Sequence, residues 1–591
     1  MAAETFLADA LVQSLQPRYP HLIAALSDLP DGKQQLHRMV ELDKTWVRQQ
    51  FTPQPPPTVV SAGEVAVEST TEQFDIIYAG GGLNLLNAAV MTQVYGKRVL
   101  VFDRFTVGAV HREWNISEEE LDELVAVGLL THSERESIVQ RRYTDGLVHF
   151  HNVGIRTKPA DLWMGSVLNV AVDADALTAI CLQKIRSASS NNVILNNLTF
   201  EHATVGRDRV VVQAHDSDNR DQLFVGKLFI DGMGSTSPVA CQLNCGAPYS
   251  LVCPTVGTVA RGYEFSDSRA AGTVDPAIGE ILVTTEHARN GRQLIWEVFP
   301  GKEDLVAIYL FHYAETGMQR TGKLPDSLLL PLFEEFFTLL PGYKHSEHVS
   351  IVKPVYGFIP AGYKNPSLQS QGRKVLAYDR VLSLGDAAAL QSPLTFCGFG
   401  SNARNLRRIT TLLATALQRD RLKGSDLQRI RAAEATPALA RAFSKFMIAK
   451  PADKETAVQV NETLNVFCRI LNNFGEGPSR DFFQDRIRWW DYTKLVLTTA
   501  IVYPRIFPLT ARTLSLADVT AWIGAYGAFT AAAARNGIGR AVLQPLSQTT
   551  IGKGIKRVLW RTRPGLAWRA SAMMASLRQG LRVADMDKHL A

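Results

Sequence analysis

The chain is poor in the features that mark secreted, metal-bound or membrane-spanning proteins. Its 591 residues include six cysteines, Cys181, Cys241, Cys245, Cys253, Cys397 and Cys468, and these are scattered. Cys241 and Cys245 are four apart, but no second pair or histidine cluster completes a zinc site. They read as reduced thiols of a protein on the cytoplasmic side. No run of about 18–20 apolar residues is present, so a spanning helix is not expected. The first dozen residues lack a basic n-region and carry Glu4 and Asp9, so no secretory signal is expected. There is no internal repeat and no long low-complexity tract. Acids are scarce at the far end: from Lys553 to Ala591 nine basic residues face two acidic ones, more than the net +6 of the whole chain.

What is present suits a folded protein of several regions. The hydrophobic fraction is 46% and the charged fraction 20%, ordinary for a globular chain. The length exceeds what one core usually holds. Residues 1 to about 50 read as helical, with Leu22, Ile23, Leu26 and Leu29 at helical spacing. Pro53, Pro55, Pro56 and Pro57 break the pattern, and a linker is expected to Thr71. Mixed strand and helix patterns run to about Asp420, and the rest is mostly helix-like. After Trp489 the chain turns apolar, aromatic and basic.

Phe74-Asp75-Ile76-Ile77-Tyr78 reads as a strand that runs into Ala79-Gly80-Gly81-Gly82, followed by a helix pattern through Val90. Strand, glycine turn and helix together bring backbone N–H groups against a pyrophosphate. Gly80 and Gly82 hold the first two glycine positions of G-x-G-x-x-G; Leu85 stands at the third. A second strand, Arg98 to Phe102, ends at Asp103-Arg104. Asp103 lies 23 residues after Gly80, near the spacing of an acid that binds ribose hydroxyls. The competing reading of this stretch is a glycine turn in an ordinary α/β domain.

Two further motifs follow in order. Leu228-Phe229-Ile230-Asp231-Gly232 is a strand ending in Asp-Gly, by itself usually a turn. Val381 to Ala389 contains Gly385-Asp386-Ala387-Ala388, with Pro393, Gly398, Gly400 and Asn402 beyond it. These segments resemble those of FAD proteins of the p-hydroxybenzoate hydroxylase-like group. The resemblance implies non-covalent FAD, with the Asp231-Gly232 turn close to the cofactor and Asp386 accepting from the ribityl chain. It also implies a helix N-terminus aimed at the flavin's pyrimidine edge, where it stabilises negative charge. The expected fold is α/β: a Rossmann-like FAD-binding domain with an inserted mixed-sheet substrate domain and a helical C-terminal region. The expected boundaries are 1–70 for helices and linker, 71–250 and 376–420 for the FAD-binding domain, 251–375 for the substrate domain and 421–591 for the C-terminal region.

Two blocks narrow the group. His111-Arg112-Glu113-Trp114-Asn115-Ile116-Ser117 to Leu121, and Gln391-Ser392-Pro393-Leu394-Thr395-Phe396-Cys397-Gly398-Phe399-Gly400, resemble the CruA/CruP type of lycopene cyclase. That type occurs in cyanobacteria and green sulfur bacteria and has paralogues in plants; the resemblance covers residues 70 to 420. It implies cyclisation of the ψ-end groups of lycopene to ionone rings, giving γ- or β-carotene with no net redox change. Reduced FAD would provide negative charge beside the cation, and NAD(P)H would only reduce the flavin. It also raises a pigment cofactor such as chlorophyll, to which no residue points on its own. The rivals are a redox flavoenzyme acting on an isoprenoid and a non-catalytic carotenoid-binding paralogue.

The chemistry needs a protonated acid in a dry pocket. Ser117-x-x-Glu120 before an apolar helix pattern predicts a capping box, which leaves Glu113 in the loop ahead of the helix as a site candidate. The Phe-Leu-Glu-Glu-Thr segment of other lycopene cyclases is absent. Glu280, Glu286 and Glu297 lie near the comparable strand; Glu297, within Leu294-Ile295-Trp296-Glu297-Val298-Phe299, and His312 join Glu113 as candidates, and the sequence leaves the acid open among them. Strand alternation leaves open that Glu297 faces solvent.

A cyclase of lycopene must reach a membrane. The apolar run Leu495 to Pro504, flanked by Trp489, Trp490, Lys494 and Arg505, is too short to span and suits an interface. Val558-Leu559-Trp560-Arg561 and Ala567-Trp568-Arg569 suit anionic headgroups. Peripheral attachment on the cytoplasmic side of a plasma or thylakoid membrane is expected. The alternative is a helical bundle that buries these residues against the body. No nucleic-acid motif is present, and the sequence leaves the oligomeric state open.

Overall fold

The computed structural model describes residues 9–52, 55–66, 72–110, 113–268, 270–316, 325–363, 375–390, 394–395, 397–432, 437–448 and 454–579. Three helices come first: α1 (Ala10–Leu15), α2 (Pro20–Ser27) and α3 (Gly32–Phe51). Asp9 caps α1, accepting from Leu11 N at 2.9 Å. Leu22, Ile23 and Leu26 of α2 and Leu36, Met39 and Trp46 of α3 are buried. Part of the expected linker is a short strand, Val60–Ala62, which pairs with residues 203–205.

The first sheet is Rossmann-like at its centre. Strand β1 (Gln73–Ala79) leads through the glycine turn to α4 (Asn84–Gln93) and back to β2 (Val99–Phe102). β2 pairs parallel with β1 and with Val193–Leu195, and β3 (Asp221–Asp231) pairs parallel with β1 on the other side. An antiparallel ribbon, Thr199–Val205 and Val210–His215, extends the sheet from β3. Ile76, Ile77, Tyr78 and Ala79 are all buried because both faces are covered, and that explains the unbroken apolar run. Ile76 and Tyr78 pack with Leu85 and Val99, while Ile77 and Ala79 pack with Leu100 and Phe229.

The second sheet has eight strands. Its centre is β4 (Tyr249–Tyr263), β5 (Ile278–Val283), β6 (Ile295–Pro300) and β7 (Val306–Phe311), and after α5 (Leu329–Tyr343) the long β8 (Ser346–Tyr363) returns to pair with β4. Two strands come from much earlier in the chain: Asp145–His149 lies parallel to β5, and Leu162–Trp163 follows it. Helices cover both faces. Trp296, Val298, Ile308 and Leu310 pack against α5 and the N-terminal helices. Ile295, Phe299, Ala307, Tyr309 and Phe311 belong to a different core, which includes Leu394, Cys397 and the C-terminal helices.

The chain then returns to the first sheet through β9 (Val381–Ser383), parallel to β3, and enters α6 (Gly398–Gln418). Helices Pro437–Phe446, Lys454–Phe474 and Glu476–Phe483 follow. The remainder is α7 (Trp489–Val502), α8 (Ile506–Thr513), α9 (Leu516–Ile538), α10 (Thr550–Thr562) and α11 (Pro564–Gln579), with a π-helical segment, Gly539–Leu543, and a short helix, Gln544–Gln548, between α9 and α10. α11 docks on the first domain: Trp568 is fully buried and its Nε1 donates to Asp426 O at 3.1 Å. Among the described residues no helix is long and apolar enough to cross a membrane. The fold is α/β, with a Rossmann-like core, a second mixed sheet and a helical C-terminal region.

Candidate functional site

The glycine turn is shaped by its neighbours. Gly80 has φ +107°, and a Cβ there would overlap the carbonyl of Gly232 at the end of β3. Gly232 N donates to Ala79 O and ties the two turns, and Gly80 N donates to Phe102 O at the end of β2, both at 2.8 Å. A Cβ on Gly81 would press on Val107 at 2.8 Å. Gly82 differs: among the described residues nothing lies within 4 Å of its Cβ position. Beside that space begins α4; its N-cap Leu83 makes no side-chain cap, and Leu85 N and Leu86 N donate back to Gly82 O and Leu83 O at 3.0 and 3.2 Å. An open cradle next to an uncapped helix start is where a phosphate oxygen fits. Leu85, at the third glycine position, is buried in the core beneath α4.

Asp103 holds this turn from the end of β2. Its Oδ2 accepts from Gly81 N at 2.7 Å and its Oδ1 from Phe105 N at 2.9 Å. Each carboxylate oxygen keeps a lone pair for a hydroxyl. Arg104 lies with its guanidinium 4.9 Å from the Phe105 ring centre.

Asp231 has a different task. It is fully buried, and burial raises its pKa. Its carboxylate accepts from Ser383 Oγ at 2.7 Å, Ser237 Oγ at 2.8 Å and Met233 N at 3.1 Å. The group therefore fastens the ends of β3 and β9 together. Gly385 follows at φ +61° with nothing among the described residues within 4 Å of its Cβ position, a second open place at the strand ends. Asp386 lies half-buried in the turn Gly385–Ala387.

The two sequence blocks meet at α6. Trp114 stacks on Phe399, ring centres 4.8 Å apart. Ser117 and Glu120 form the capping box of helix Glu118–Ala126. Glu120 also pairs with Arg404 of α6, both nearly wholly buried. A Cβ on Gly400 would overlap the Glu120 carboxylate, so Gly400 answers to that ion pair. Asn402 Nδ2 donates to Gly398 O at 3.0 Å. His111, Arg112, Gln391, Ser392, Pro393 and Phe396 lie outside the described residues.

The three catalytic candidates fall in three places. Glu113 sits where a small three-stranded sheet (Trp114–Ile116, Val139–Arg142 and Val170–Val172) meets the second sheet: its Oε1 is 2.6 Å from Lys353 Nζ of β8, and its backbone N donates to Tyr309 OH of β7 at 3.1 Å. It lines a cavity of ≈ 270 Å³ with Trp114, Gln140, Phe299, Ala307 and Lys353. Glu297 lies on β6 opposite Tyr309, and every residue of that strand is buried. Alternation puts it on the face of Ile295 and Phe299, the face whose core contains Leu394 and Cys397. Among the described residues its Oε1 has no hydrogen-bond partner, and burial lifts its pKa well above the usual carboxylate range. The expectation left open by alternation, a solvated Glu297, does not hold. His312 is buried past the end of β7, at a position that alternates with Phe311 and Tyr313; its pKa falls to about 3, by burial first and then the charge of Arg292. Arg292 pairs with Glu335 of α5, on the opposite side of the sheet from the Glu297 face. Lys353, Tyr309 and Ser383 carried no sequence signal, since each acts on a partner far along the chain.

No family model matches the chain, and no curated protein does. Distant likenesses exist among solved structures. A mutant of halogenase PltM in complex with FAD is 14% identical, with a TM-score of 0.49, over 85% of this chain and 99% of that one. The p-nitrophenol 4-monooxygenase PnpA from Pseudomonas putida DLL-E4 is 14% identical, TM-score 0.47, over 71% and 100%. A geranylgeranyl bacteriochlorophyll reductase-like protein from Thermoplasma acidophilum is 10% identical, TM-score 0.46, over 75% and 100%. At this distance no residue role passes from them to this chain.

Proposed function

We propose that the chain holds FAD non-covalently and is a lycopene cyclase of the CruA/CruP type. The open positions at Gly82 and Gly385, the uncapped start of α4 and the spare lone pairs of Asp103 fit a dinucleotide lying across the ends of β1, β2, β3 and β9. Gly80, Gly81 and Gly232 shape the turns that leave this space, Asp231 fixes the strand ends, and Asp386 lies in the turn that begins at Gly385. When bound, reduced flavin supplies negative charge beside a developing cation; NAD(P)H is its reductant.

The observation that carries the catalytic reading is Glu297: a buried carboxyl with an unpartnered oxygen, on the sheet face that meets the loop into α6. Burial keeps the proton on it, as a Brønsted acid for a carbon–carbon double bond requires. Glu297 donates that proton to the terminal double bond of a ψ-end group. The neighbouring double bond attacks the resulting carbocation and closes the six-membered ring. Loss of a ring proton to the Glu297 carboxylate restores the acid, so protons and electrons balance. The apolar wall of Ile295, Phe299 and Phe311 excludes water that would otherwise quench the cation. Glu113, paired with Lys353, borders the seam cavity, which is below the ~300 Å³ of ordinary ligand pockets and suits one end of a long molecule.

The test is chromatography of carotenoids from a lycopene-accumulating bacterial host expressing the chain. γ- or β-Carotene is expected with the parent chain, and lycopene alone with Glu297→Gln. Unchanged lycopene beside soluble, flavin-loaded parent protein would overturn the cyclase reading. NAD(P)H consumed in proportion to product would replace it with redox chemistry on the isoprenoid.

A further inference from the structure

The C-terminal helices present most of the large apolar side chains that face solvent. α7 turns Trp490, Leu497 and Ile501 outward, at 67, 59 and 78% exposure. Their spacing of seven and four is that of one helical stripe. Phe507 of α8 and Leu516 and Ile523 of α9 are exposed as well. α7 and α9 are locked in this orientation by aromatic contacts around the buried Tyr492. Trp522 Nε1 donates to Tyr492 OH at 3.0 Å, Trp489 Nε1 donates to Thr530 Oγ1 at 2.8 Å, and Trp522 stacks on Tyr526. The outward stripes cannot rotate inward without breaking these contacts.

α10 is the most telling element. It contains no buried residue. Its Trp560 packs toward the body under Arg419, 5.2 Å from guanidinium to ring centre. Ile551, Ile555 and Val558 lie about half a turn away from Trp560 and are exposed. An amphipathic helix on a soluble body buries its aliphatic stripe; this one turns it to solvent. The interfacial aromatics expected from the sequence at 560 and 568 are thus anchors into the body, and the outward apolar surface is aliphatic.

Charge selects the occupant. From Val519 to Gln579 the sequence has nine basic residues and no acidic one. Lys556, Arg557 and Arg561 flank the α10 stripe and Lys553 lies on the Trp560 side; all four are exposed. Aliphatic side chains with cations and no acids match the acyl boundary and phosphates of an anionic bilayer. Behind this face the apolar core is continuous: Tyr492, Leu495 and Phe529 belong with Phe482, Leu394, Cys397 and Tyr313. We propose that α7, α8, α9 and α10 form a docking face for an anionic lipid bilayer. The proposal stands without the cyclase reading, because binding is measured without turnover.

The experiment is co-sedimentation of the full chain with vesicles of phosphatidylcholine alone or with about a third phosphatidylglycerol, at low and high salt. Binding to the mixed vesicles is expected, weaker at high salt. Two variants separate the contributions. K553Q/K556Q/R557Q/R561Q should lose affinity for mixed vesicles by ~100-fold or more. L497S/I501S/I523S should lose ~10-fold or more at either salt. Circular dichroism and flavin content confirm that both variants fold. Salt-sensitive adsorption that the aliphatic variant leaves unchanged would overturn insertion of the apolar face. A chain that stays in solution with mixed vesicles would overturn the whole proposal, and light scattering that shows a dimer dispersed by L497S/I501S/I523S would give the face to a second copy.

Discussion

A carboxyl taken out of water and left without a partner costs stability unless it stays protonated. Glu297 therefore gives a signed prediction. Its folded pKa is raised and its unfolded pKa is near 4.3. Below that value both states hold the proton; above it the unfolded chain releases a proton that the folded chain keeps. Stability is thus fully present at low pH and lost as pH rises. Glu297→Gln removes this slope, so its melting temperature should change less than the parent's between about pH 5 and 8. His312 acts at the other limb. Its folded pKa of about 3 lies below the ordinary 6.5, so it withdraws stability as pH falls through that interval, and His312→Gln should flatten the acid side. Both are read by thermal unfolding against pH. Asp231→Ala leaves two serine hydroxyls and the Met233 N–H without their acceptor. It should cost about 2–4 kcal/mol in urea unfolding and release flavin from the purified protein.

At the scale of elements, α5 starts on a carboxylate borrowed from another helix. Asp43 of α3 accepts from Leu328 N and Leu329 N, each at 3.0 Å, and from the Ser327 hydroxyl. Asp43→Ala should cost ~1–2 kcal/mol and make the first 52 residues sensitive to a protease at concentrations that spare the parent. The contrast with Ser117 shows what can be read in a sequence. The Ser117–Glu120 box closes within four residues and is legible; the Asp43 cap spans 285 residues and is not. The same rule separates the glycine turn at 80–82 and the helical spacing of Leu22, Ile23 and Leu26, which are local, from the Glu113–Lys353 pair, which is not. Glu297 was ambiguous for another reason. Alternation assumes one wet face, and this sheet has helices on both. Trp560 and Trp568 carried a composition suited to an interface, but composition does not say which way a helix face turns.

The whole molecule is sewn from distant stretches. Strands 145–149 and 162–163 complete a sheet whose other members begin at Tyr249. The N-terminal helices cover Trp296, Ile308 and Leu310 of that sheet. Removing residues 1–52 should expose this face, and the truncated chain should bind a hydrophobic dye and sediment from the lysate while the parent stays in solution. The cover also sets a timetable. Ribosomes add ~5–20 residues per second. Leu22, Leu36 and Trp46 leave the exit tunnel first, yet Tyr356 and Phe358, in the same core, are made more than 300 residues later. The opening helices thus wait some tens of seconds with their apolar stripes bare. During synthesis this chain is a client for chaperones that hold nascent chains, and its yield in a foreign host should follow translation speed and chaperone supply more than the stability of the finished fold.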